Sequence, residues 1–318
     1  MSYTLIGKHE KDSRANRDGY VSAMLEMMEK NKDLIHVDCD LMGCINTGKL
    51  LKAFPGQTFN AGIAEQNAMG VAAGMAATGL DVFIHSFGCF AARRMFDQAF
   101  LAAGYSKLPV HVIGSDPGVC AAFNGATHMP FEDCALYMSV PESVVIDSCD
   151  YAQTYALTKK LAQEPGLSYM RLIRKGFTTI YADGSDFEIG KAFVVNDGYD
   201  AAIFAVGRMN KIAKSAVKIL KEKNISAAHI NVRSVKPFDV ALLEEYSKKC
   251  KLVFTLEDNL VNGGFGSYLA VNSNIRNFVN IGWGDEFIPH GKARELFEKY
   301  GLDGKSVAEK IENALNNL

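Results

Sequence analysis

The 318-residue sequence predicts an α/β protein with two domains, each a mostly parallel sheet flanked by helices. Short runs rich in β-branched residues alternate with amphipathic helical stretches, which is the order typical of such folds. These runs are apolar on both faces, as buried parallel strands are. The alternation breaks once, and the chain is long enough for two domains of ordinary size.

Nine runs are predicted to be strands, and helices are expected between them. The strands are expected at residues 34–39, 81–86, 110–115, 143–148, 169–173, 201–207, 227–232, 252–257 and 278–283. The clearest amphipathic helical stretches are residues 20–31 and 209–224. Residues 175–200 lack a helical period and carry several glycines and aspartates, so we interpret them as a linker with a short hairpin. We therefore expect one domain over residues 1–180 and a second over residues 181–318.

The composition is typical of a soluble globular protein, with 48% hydrophobic residues, 22% charged residues and a formal net charge of -2. No long basic run is present, which argues against nucleic acid or an acidic membrane as the main partner. The start "MSYTLIGKHEKDSRANRDGY" has no apolar core of signal-peptide type, and no apolar run is long enough to span a bilayer. Seven cysteines form no CxxC pair, which favours reduced thiols in a cytoplasmic protein over disulfides or a zinc site.

The stretch "FNAGIAEQNAMGVAAGMAATG" (59–79) predicts a helix with two glycines in its interior. Each glycine costs about 1 kcal/mol relative to alanine, so these two positions need a reason. Gly70 and Gly74 lie one turn apart, which predicts close packing against another helix, with a subunit interface as the favoured place. The spacing of 3.6 residues per turn predicts one apolar stripe, formed by Ala64, Ala68, Val71, Ala72 and Met75.

Three candidate functional residues, Glu65, Phe87 and Phe90, lie in and just after the glycine helix. Glu65 stands in the first turn of the glycine helix, where a carboxylate is also explained by the helix dipole. Phe87 and Phe90 lie three residues apart in "HSFGCFAARRMFDQAF" (85–100), and two such aromatics are equally typical of a core. Taken alone, none of the three distinguishes a site from ordinary structure.

Later candidates follow strand ends, where α/β sheets place ligands. His128 lies in a loop of "FNGATHMPFED", between Gly125 and Pro130. Arg171 and Arg174 end a predicted strand in "YMRLIRKG" (169–176). An arginine at such a place can hold a phosphate or a carboxylate by a forked contact, although a surface charge explains it as well.

The order of the motifs is more specific than any one of them. The sequence contains, in this order, "VDCDLMG", "GIAEQN", "SFGCF", "GATHMPFED", "PESVVID" and "RLIRKG". This series resembles the pyrimidine-binding domain of the transketolase family. Residues 190–318, with "VKPFD" (235–239) and "FIPHG" (287–291), are similar to the C-terminal domain of that family. The resemblance runs from about residue 15 to the end of the sequence.

The resemblance implies thiamine diphosphate as cofactor. Glu65 would contact N1′ of the pyrimidine ring and favour the imino tautomer that takes the proton from thiazolium C2. Phe90 would stack on the pyrimidine, and Phe87 would wall the same pocket and keep water out. Glu65 and His128 are then the expected catalytic residues, and Glu65, Phe87 and Phe90 the expected cofactor-binding residues.

The resemblance also assigns substrate contacts. His128 would hydrogen-bond substrate oxygens and stabilise developing alkoxide charge, and Arg174 would grip a sugar phosphate. Two positions depart from the transketolase pattern. Asn124 stands where an aspartate is usual, and Asp116 stands where a histidine is common, as it does in deoxyxylulose phosphate synthases. Both are expected to contact substrate, so a related sugar phosphate or a modified ketose becomes an alternative to the standard pentose phosphates.

The family's motif for diphosphate and magnesium is missing. That motif is "GDG", followed nearly thirty residues later by an asparagine, and the sequence has no "GDG". The chain is also about half as long as a full transketolase. The sequence therefore resembles the C-terminal subunit of a split transketolase. An N-terminal subunit would hold Mg²⁺ and the diphosphate, with an α2β2 assembly expected, and no metal ligands are expected in this chain.

Three other functions remain open from the sequence. A beta subunit of a 2-oxoacid dehydrogenase shares the two-domain layout and the glutamate. A deoxyxylulose phosphate synthase-like enzyme is favoured by "FIPHG" and Asp116 but carries its own metal-binding domain. A regulatory paralogue without turnover is disfavoured because Glu65, Phe90 and His128 are all present.

Overall fold

A computed structural model describes residues 3–6 and 11–318 of the chain. The strands are β1 (Lys11–Ala15), β2 (Leu34–Asp38), β3 (Thr58–Asn60), β4 (Asp81–Phe87), β5 (Val110–Ser115), β6 (Val144–Asp147), β7 (Ser168–Leu172), β8 (Gly176–Thr178), β9 (Phe193–Asn196), β10 (Ala201–Val206), β11 (Ala227–Val232), β12 (Ser234–Lys236), β13 (Leu252–Leu260) and β14 (Phe278–Trp283). All nine predicted strands are among them.

The α-helices are α1 (Asn16–Lys30), α2 (Met42–Ile45), α3 (Gly48–Ala53), α4 (Glu65–Ala77), α5 (Gly88–Arg93), α6 (Phe96–Gln98), α7 (Asp133–Ser139), α8 (Tyr151–Leu161), α9 (Met209–Glu222), α10 (Val240–Lys249), α11 (Phe265–Asn272), α12 (Ala293–Lys299) and α13 (Gly304–Asn316). A π-helical segment, Ala99–Tyr105, follows α6, and two 3₁₀ segments, Gly118–Asn124 and Ala126–His128, follow β5.

Seven strands form the larger sheet, in the order β12-β6-β7-β5-β4-β2-β3. Neighbouring strands are parallel except β12, which is antiparallel to β6. Residues of β2 and β5 are buried along their whole length, as strands covered on both faces are. Because β2, β4, β5 and β7 are parallel, their carboxyl ends meet at one edge, which is where sheets of this kind bind ligands.

Five strands form the second sheet, in the order β14-β13-β10-β11-β9. They are parallel except β9, which is antiparallel to β11. Helix α9 covers one face with Met209, Ala213, Ala216 and Leu220, all fully buried. The predicted fold class, two domains with mostly parallel sheets flanked by helices, is confirmed. The boundary at residue 180 stays a prediction, since β12 of the second half extends the sheet of the first half.

The hairpin predicted within residues 175–200 is wrong. The region does contain two short strands, but they do not pair with each other. Strand β8 pairs with β1, and β9 pairs with β11, in both cases antiparallel. Glycine and aspartate mark the places where the chain can turn. They do not specify the partner of a strand, and here each partner is a strand far away in the sequence: β8 forms a separate two-stranded sheet with β1, and β9 joins the second sheet.

Helix α4 buries mainly alanines, and its two interior glycines are exposed. Its buried apolar face consists of Ala68, Met69, Ala72, Ala73 and Ala76. The predicted stripe is therefore wrong at Val71, which is 42% exposed. A Cβ added to Gly70 or Gly74 would meet nothing within 4 Å, so the close packing that these glycines predict is not made inside the described chain.

No helix within residues 3–6 and 11–318 combines the length and the apolar character needed to cross a membrane.

Candidate active site

Glu65 begins α4 with a buried carboxylate, and only 3% of the residue is exposed. Both carboxylate oxygens accept a hydrogen bond from Nη1 of Arg94, each at 3.1 Å. A buried carboxylate without a partner would carry a large desolvation cost, which this ion pair offsets. The Arg94 guanidinium carbon also lies 4.1 Å from the centroid of the Phe90 ring, a cation–π contact. One half-exposed arginine thus joins two of the predicted cofactor contacts.

Phe87, Phe90 and His128 form an aromatic cluster at the end of β4. The phenyl ring centroids are 6.0 Å apart. The His128 ring lies 6.0 Å from Phe87 and 5.4 Å from Phe90, and its plane stands edge-on to both, which is a favourable aromatic geometry. Thr127 Oγ1 lies 2.9 Å from His128 Nδ1. The structure thus brings His128 against two phenylalanines that lie far from it in the sequence.

Asp116 and Arg174 form an ion pair beside this cluster. Asp116 follows β5 with a φ of 58°, a left-handed conformation that costs an L-residue about 1–2 kcal/mol. Arg174 Nε donates to Asp116 Oδ1 at 2.7 Å. Burial raises the pKa of the Asp116 carboxyl, while the bond from Arg174 acts in the opposite direction. The Arg174 guanidinium also lies 5.4 Å from the Phe87 ring centroid, so the pair adjoins the aromatic cluster.

The predicted residues therefore lie along one connected path. It runs from Glu65 through Arg94 to Phe90, continues through His128 and Phe87, and ends at Arg174 and Asp116. Asn124 is placed differently. It is the last residue of the first 3₁₀ segment and is exposed to solvent. Gly125, which follows it, turns the chain with a φ of 80°.

A buried chain of polar groups at the carboxyl ends of β2, β4 and β5 was not predicted. His85 Nδ1 lies 2.9 Å from Asp38 Oδ2, and His85 Nε2 lies 3.0 Å from Ser115 Oγ. Burial acts to raise the pKa of Asp38, but the bonds with His36 and His85 outweigh it and lower that pKa. These hydrogen bonds connect the ends of the three strands next to Asp116. Polar residues inside the apolar runs "LIHVD" and "FIHSF" were its only sequence signal.

Arg93 and Arg94 were also missed by the sequence reasoning. Arg94 follows Phe90 by four residues, a helical spacing that places two side chains on one face. Arg93 instead reaches the loop of His128, where it donates to the backbone oxygens of Thr127 at 3.4 Å and Met129 at 3.3 Å. Arg94 therefore contacts Glu65 and Phe90, and Arg93 contacts the loop that carries His128.

Arg171, the other arginine of "RLIRKG", is part of the core. It is fully buried and pairs with Asp133 and, at 3.2 Å, with Asp147. It also donates to Asn259, which lies on the second sheet. Its charge is therefore used to hold the fold, and Arg174 alone remains for a ligand.

In the part of the chain that the structure describes, no group of three or more His, Cys, Asp or Glu residues could hold a metal ion.

Two sequence models of a single family match this chain. The model described as "Transketolase, pyrimidine binding domain" matches residues 12–178, and "Transketolase, C-terminal domain" matches residues 190–307. The chain belongs to the transketolase family. Use of thiamine diphosphate is implied by that membership, and the motif order quoted from the sequence indicated the correct family.

Similar proteins match this transketolase-family chain almost from end to end. A 6-deoxy-6-sulfo-D-fructose transketolase subunit of Clostridium sp. strain MSTE9 is 36% identical, with 92% of this chain and 91% of that protein covered. An apulose-4-phosphate transketolase subunit of Phocaeicola vulgatus is 33% identical, with 93% of this chain and 96% of that protein covered. Each of these relatives is described as a subunit of a transketolase.

A solved structure shows the same similarity in three dimensions. It is described as a split-gene transketolase in an inactive beta4 tetramer. It has a TM-score of 0.86 and 34% sequence identity, and covers 96% of this chain and 99% of that chain. This transketolase-family chain therefore has the fold and the extent of the C-terminal subunit of a split transketolase.

Proposed function

We propose that the chain is one subunit of a thiamine diphosphate-dependent transketolase that moves a two-carbon ketol unit from a ketose donor to an aldose acceptor. The connected path from Glu65 to Arg174 is the observation that carries the proposal. Its residue types suit cofactor activation at one end and phosphate recognition at the other. The similarity to other transketolase subunits supports the same reaction class.

The residues of the chain fit the pyrimidine end of the cofactor. Arg94 presents an N–H donor to the Glu65 carboxylate and a planar cation to the Phe90 ring. A pyrimidine requires the same two partners, a carboxyl group for N1′ and an aromatic face for its ring. The described residues do not fit the diphosphate end, because they contain no cluster of metal ligands.

Each residue of the site then has a separate task. Thiamine diphosphate, when bound, would supply a nucleophilic carbon for ketol transfer. Glu65 would hydrogen-bond its pyrimidine and exchange a proton there through the carboxyl group, and Phe87 and Phe90 would exclude water around that group. His128 donates a hydrogen bond to a substrate oxygen that gains negative charge. Arg174 binds a phosphate.

The substrate is a sugar phosphate or a modified ketose. Asn124 offers both an amide donor and an acceptor where an aspartate offers only acceptors. Asp116 adds a carboxylate that is already paired with Arg174. Both changes alter how hydroxyl groups are recognised, so the pentose phosphates of ordinary transketolases are not assumed.

A second chain completes the proposed enzyme. An N-terminal transketolase subunit supplies Mg²⁺ and the diphosphate site, in an α2β2 assembly that functions in the cytoplasm, where the seven free cysteines stay reduced. The outward face of α4 suits an interface, since Gly70 and Gly74 are open and nearby Ile63 is 75% exposed. Without its partner, the chain is expected to self-associate in an inactive form.

The test of this function is a transfer assay on the chain co-purified with its N-terminal subunit. Ketose donors are screened for released aldose, and 2-oxoacids are offered as competing donors. Glu65→Gln should lower the rate by about 10²–10⁴-fold, the usual contribution of a proton-transferring group. Glu29→Gln, an exposed residue of α1, is the matched control and should keep the full rate. Activity on 2-oxoacids alone, or full activity of Glu65→Gln, would refute the proposal.

A further inference from the structure

We propose that the second domain acts as a clamp on the loop formed by residues 118–131, and that Asp258 is the central positioning residue of this clamp. The loop carries Asn124 and His128, so the effect of the clamp on substrate binding rests on the proposed function. The effect of the clamp on the structure of the loop is independent of that function. The 3₁₀ segment of the loop has non-helical backbone angles at Val119 and Ala121, and such an irregular segment depends on contacts from outside.

The second domain bonds the backbone of the loop at two separated points. Gly291 N–H donates to the carbonyl oxygen of Ala122 at 3.0 Å, and Leu260 N–H donates to that of Phe131 at 3.1 Å. The donors come from the chain after β14 and from the end of β13. The loop is therefore fixed on both sides of Asn124 and His128 by segments that are distant in sequence.

Asp258 holds the beginning of the loop. Its residue is 1% exposed, and Oδ1 accepts a hydrogen bond from Trp283 Nε1 at 2.7 Å. Gly118 has a φ of 53°, and a Cβ at this position would collide with the Asp258 carboxylate. The glycine thus lets the aspartate reach the loop backbone.

Two large side chains of the second domain complete the clamp. Arg208 Nη1 lies 3.1 Å from Cys120 Sγ and 3.5 Å from Asp258 Oδ2. The Trp283 ring, which is fully buried, lies 5.2 Å from the Phe131 ring. Asp258 therefore contacts both side chains. Arg208 contacts the beginning of the loop at Cys120, and Trp283 contacts its end at Phe131.

The first test measures the loop in the isolated full chain by hydrogen–deuterium exchange. Asp258→Asn removes the charge while keeping the size of the side chain. Amides of residues 118–131 should exchange at least about tenfold faster, because local opening of an irregular loop follows the loss of its anchoring contacts. The control is Asp303→Ala, which removes the cap of α13 and should speed exchange in α13 alone. Unchanged exchange in the loop of Asp258→Asn would overturn the proposal.

A second variant keeps the test decisive if Asp258→Asn does not fold. Trp283→Phe removes the N–H donor but keeps an aromatic ring, and it should also speed exchange in residues 118–131. Since Trp283 is the one tryptophan of the chain, Asp258→Asn should shift tryptophan emission to longer wavelength, and Asp303→Ala should not. Emission that stays unchanged in Asp258→Asn would contradict the clamp.

The kinetic test separates this proposal from the proposed function. In the enzyme reconstituted with its partner, Asp258→Asn should raise KM for the substrates more than it lowers kcat. A loss confined to kcat would contradict a positioning role. If Glu65→Gln keeps full activity while Asp258→Asn still loosens the loop, the proposed function fails and the clamp stands.

Discussion

One nitrogen of Arg94 donates to both carboxylate oxygens of Glu65, at 3.1 Å each, from a position against the Phe90 ring. The guanidinium therefore contacts both the Glu65 carboxylate and the Phe90 ring. In the chain by itself, this pairing keeps a buried carboxylate satisfied. In the proposed enzyme, the same two partners are needed for the pyrimidine, so Arg94 has to shift or share them.

The first prediction concerns the energy of this pair. Arg94→Ala should lower the free energy of unfolding by about 1 kcal/mol, since Arg94 is half exposed and the pair is partly screened. In Glu65→Gln/Arg94→Ala the loss should be smaller, because no buried charge is left unpaired. Urea unfolding at one fixed protein concentration gives the coupling energy. Strictly additive effects would mean that the pair contributes nothing.

The second prediction concerns phosphate recognition. Arg174→Ala should raise KM for phosphorylated acceptors by about tenfold or more, because a hydrogen bond to a charged group is worth about 1.5–3 kcal/mol. The double variant Arg174→Ala/Asp116→Asn controls for the carboxylate that the single change leaves unpaired. Equal increases for unphosphorylated sugars would contradict a role in gripping phosphate.

The third prediction separates Arg171 from Arg174. Arg171→Met leaves the buried carboxylates of Asp133 and Asp147 without their partner. It should lower the free energy of unfolding by about 3–5 kcal/mol, the usual effect of breaking a buried ion pair. Arg294→Met is the control, because the Arg294–Glu298 pair lies on the surface and should contribute less than about 1 kcal/mol. Similar losses in both variants would refute the structural role of Arg171.

The fourth prediction concerns pH. Glu257 accepts hydrogen bonds from the backbone N–H groups of Phe265 and Gly266, but burial dominates and raises the pKa of its carboxyl from 4.5 to about 7. Between these two values the folded chain binds more protons than the unfolded chain. The contribution of Glu257 to stability is therefore full below pH 4.5 and is lost as the pH rises towards 7.

Glu257→Gln should remove this dependence. The stability of the wild type relative to the variant should fall between pH 5 and pH 7, with a slope of at most about 1.4 kcal/mol per pH unit for one proton. Urea unfolding of both proteins across this range measures the difference. A difference that stays constant, or that grows in favour of the wild type with rising pH, would show that the carboxyl is ionised throughout.

The strands of both sheets were predictable because burial on two faces leaves a continuous apolar run. Strands β4, β5 and β11 begin at the predicted residues. The short strands β3 and β12, three residues each, carry too few side chains for a pattern. The pairing of β8 with β1 depends on which segments lie close in space, and no local signal in residues 175–200 specifies it.

Order along the chain indicates candidates for the site. Glu65, Phe87, Phe90 and His128 follow from the series of motifs, and the structure brings them together, while their roles stay predictions. The bond from Arg94 to Glu65 depends on how two helices pack, and the contact of Asp258 with the 118–131 loop crosses between the domains. Such contacts depend on how distant segments pack against each other, and a single sequence does not predict them.

Whether this chain supplies half of a cofactor site can be measured by titrating thiamine diphosphate with Mg²⁺ in a calorimeter. The titration is done on the chain alone, on its N-terminal subunit alone and on the reconstituted pair. The pair should bind the cofactor at least about tenfold more tightly than either subunit, a difference of about 1.4 kcal/mol, and Glu65→Gln should weaken binding by the pair. Binding to this chain alone as tight as to the pair would contradict the account.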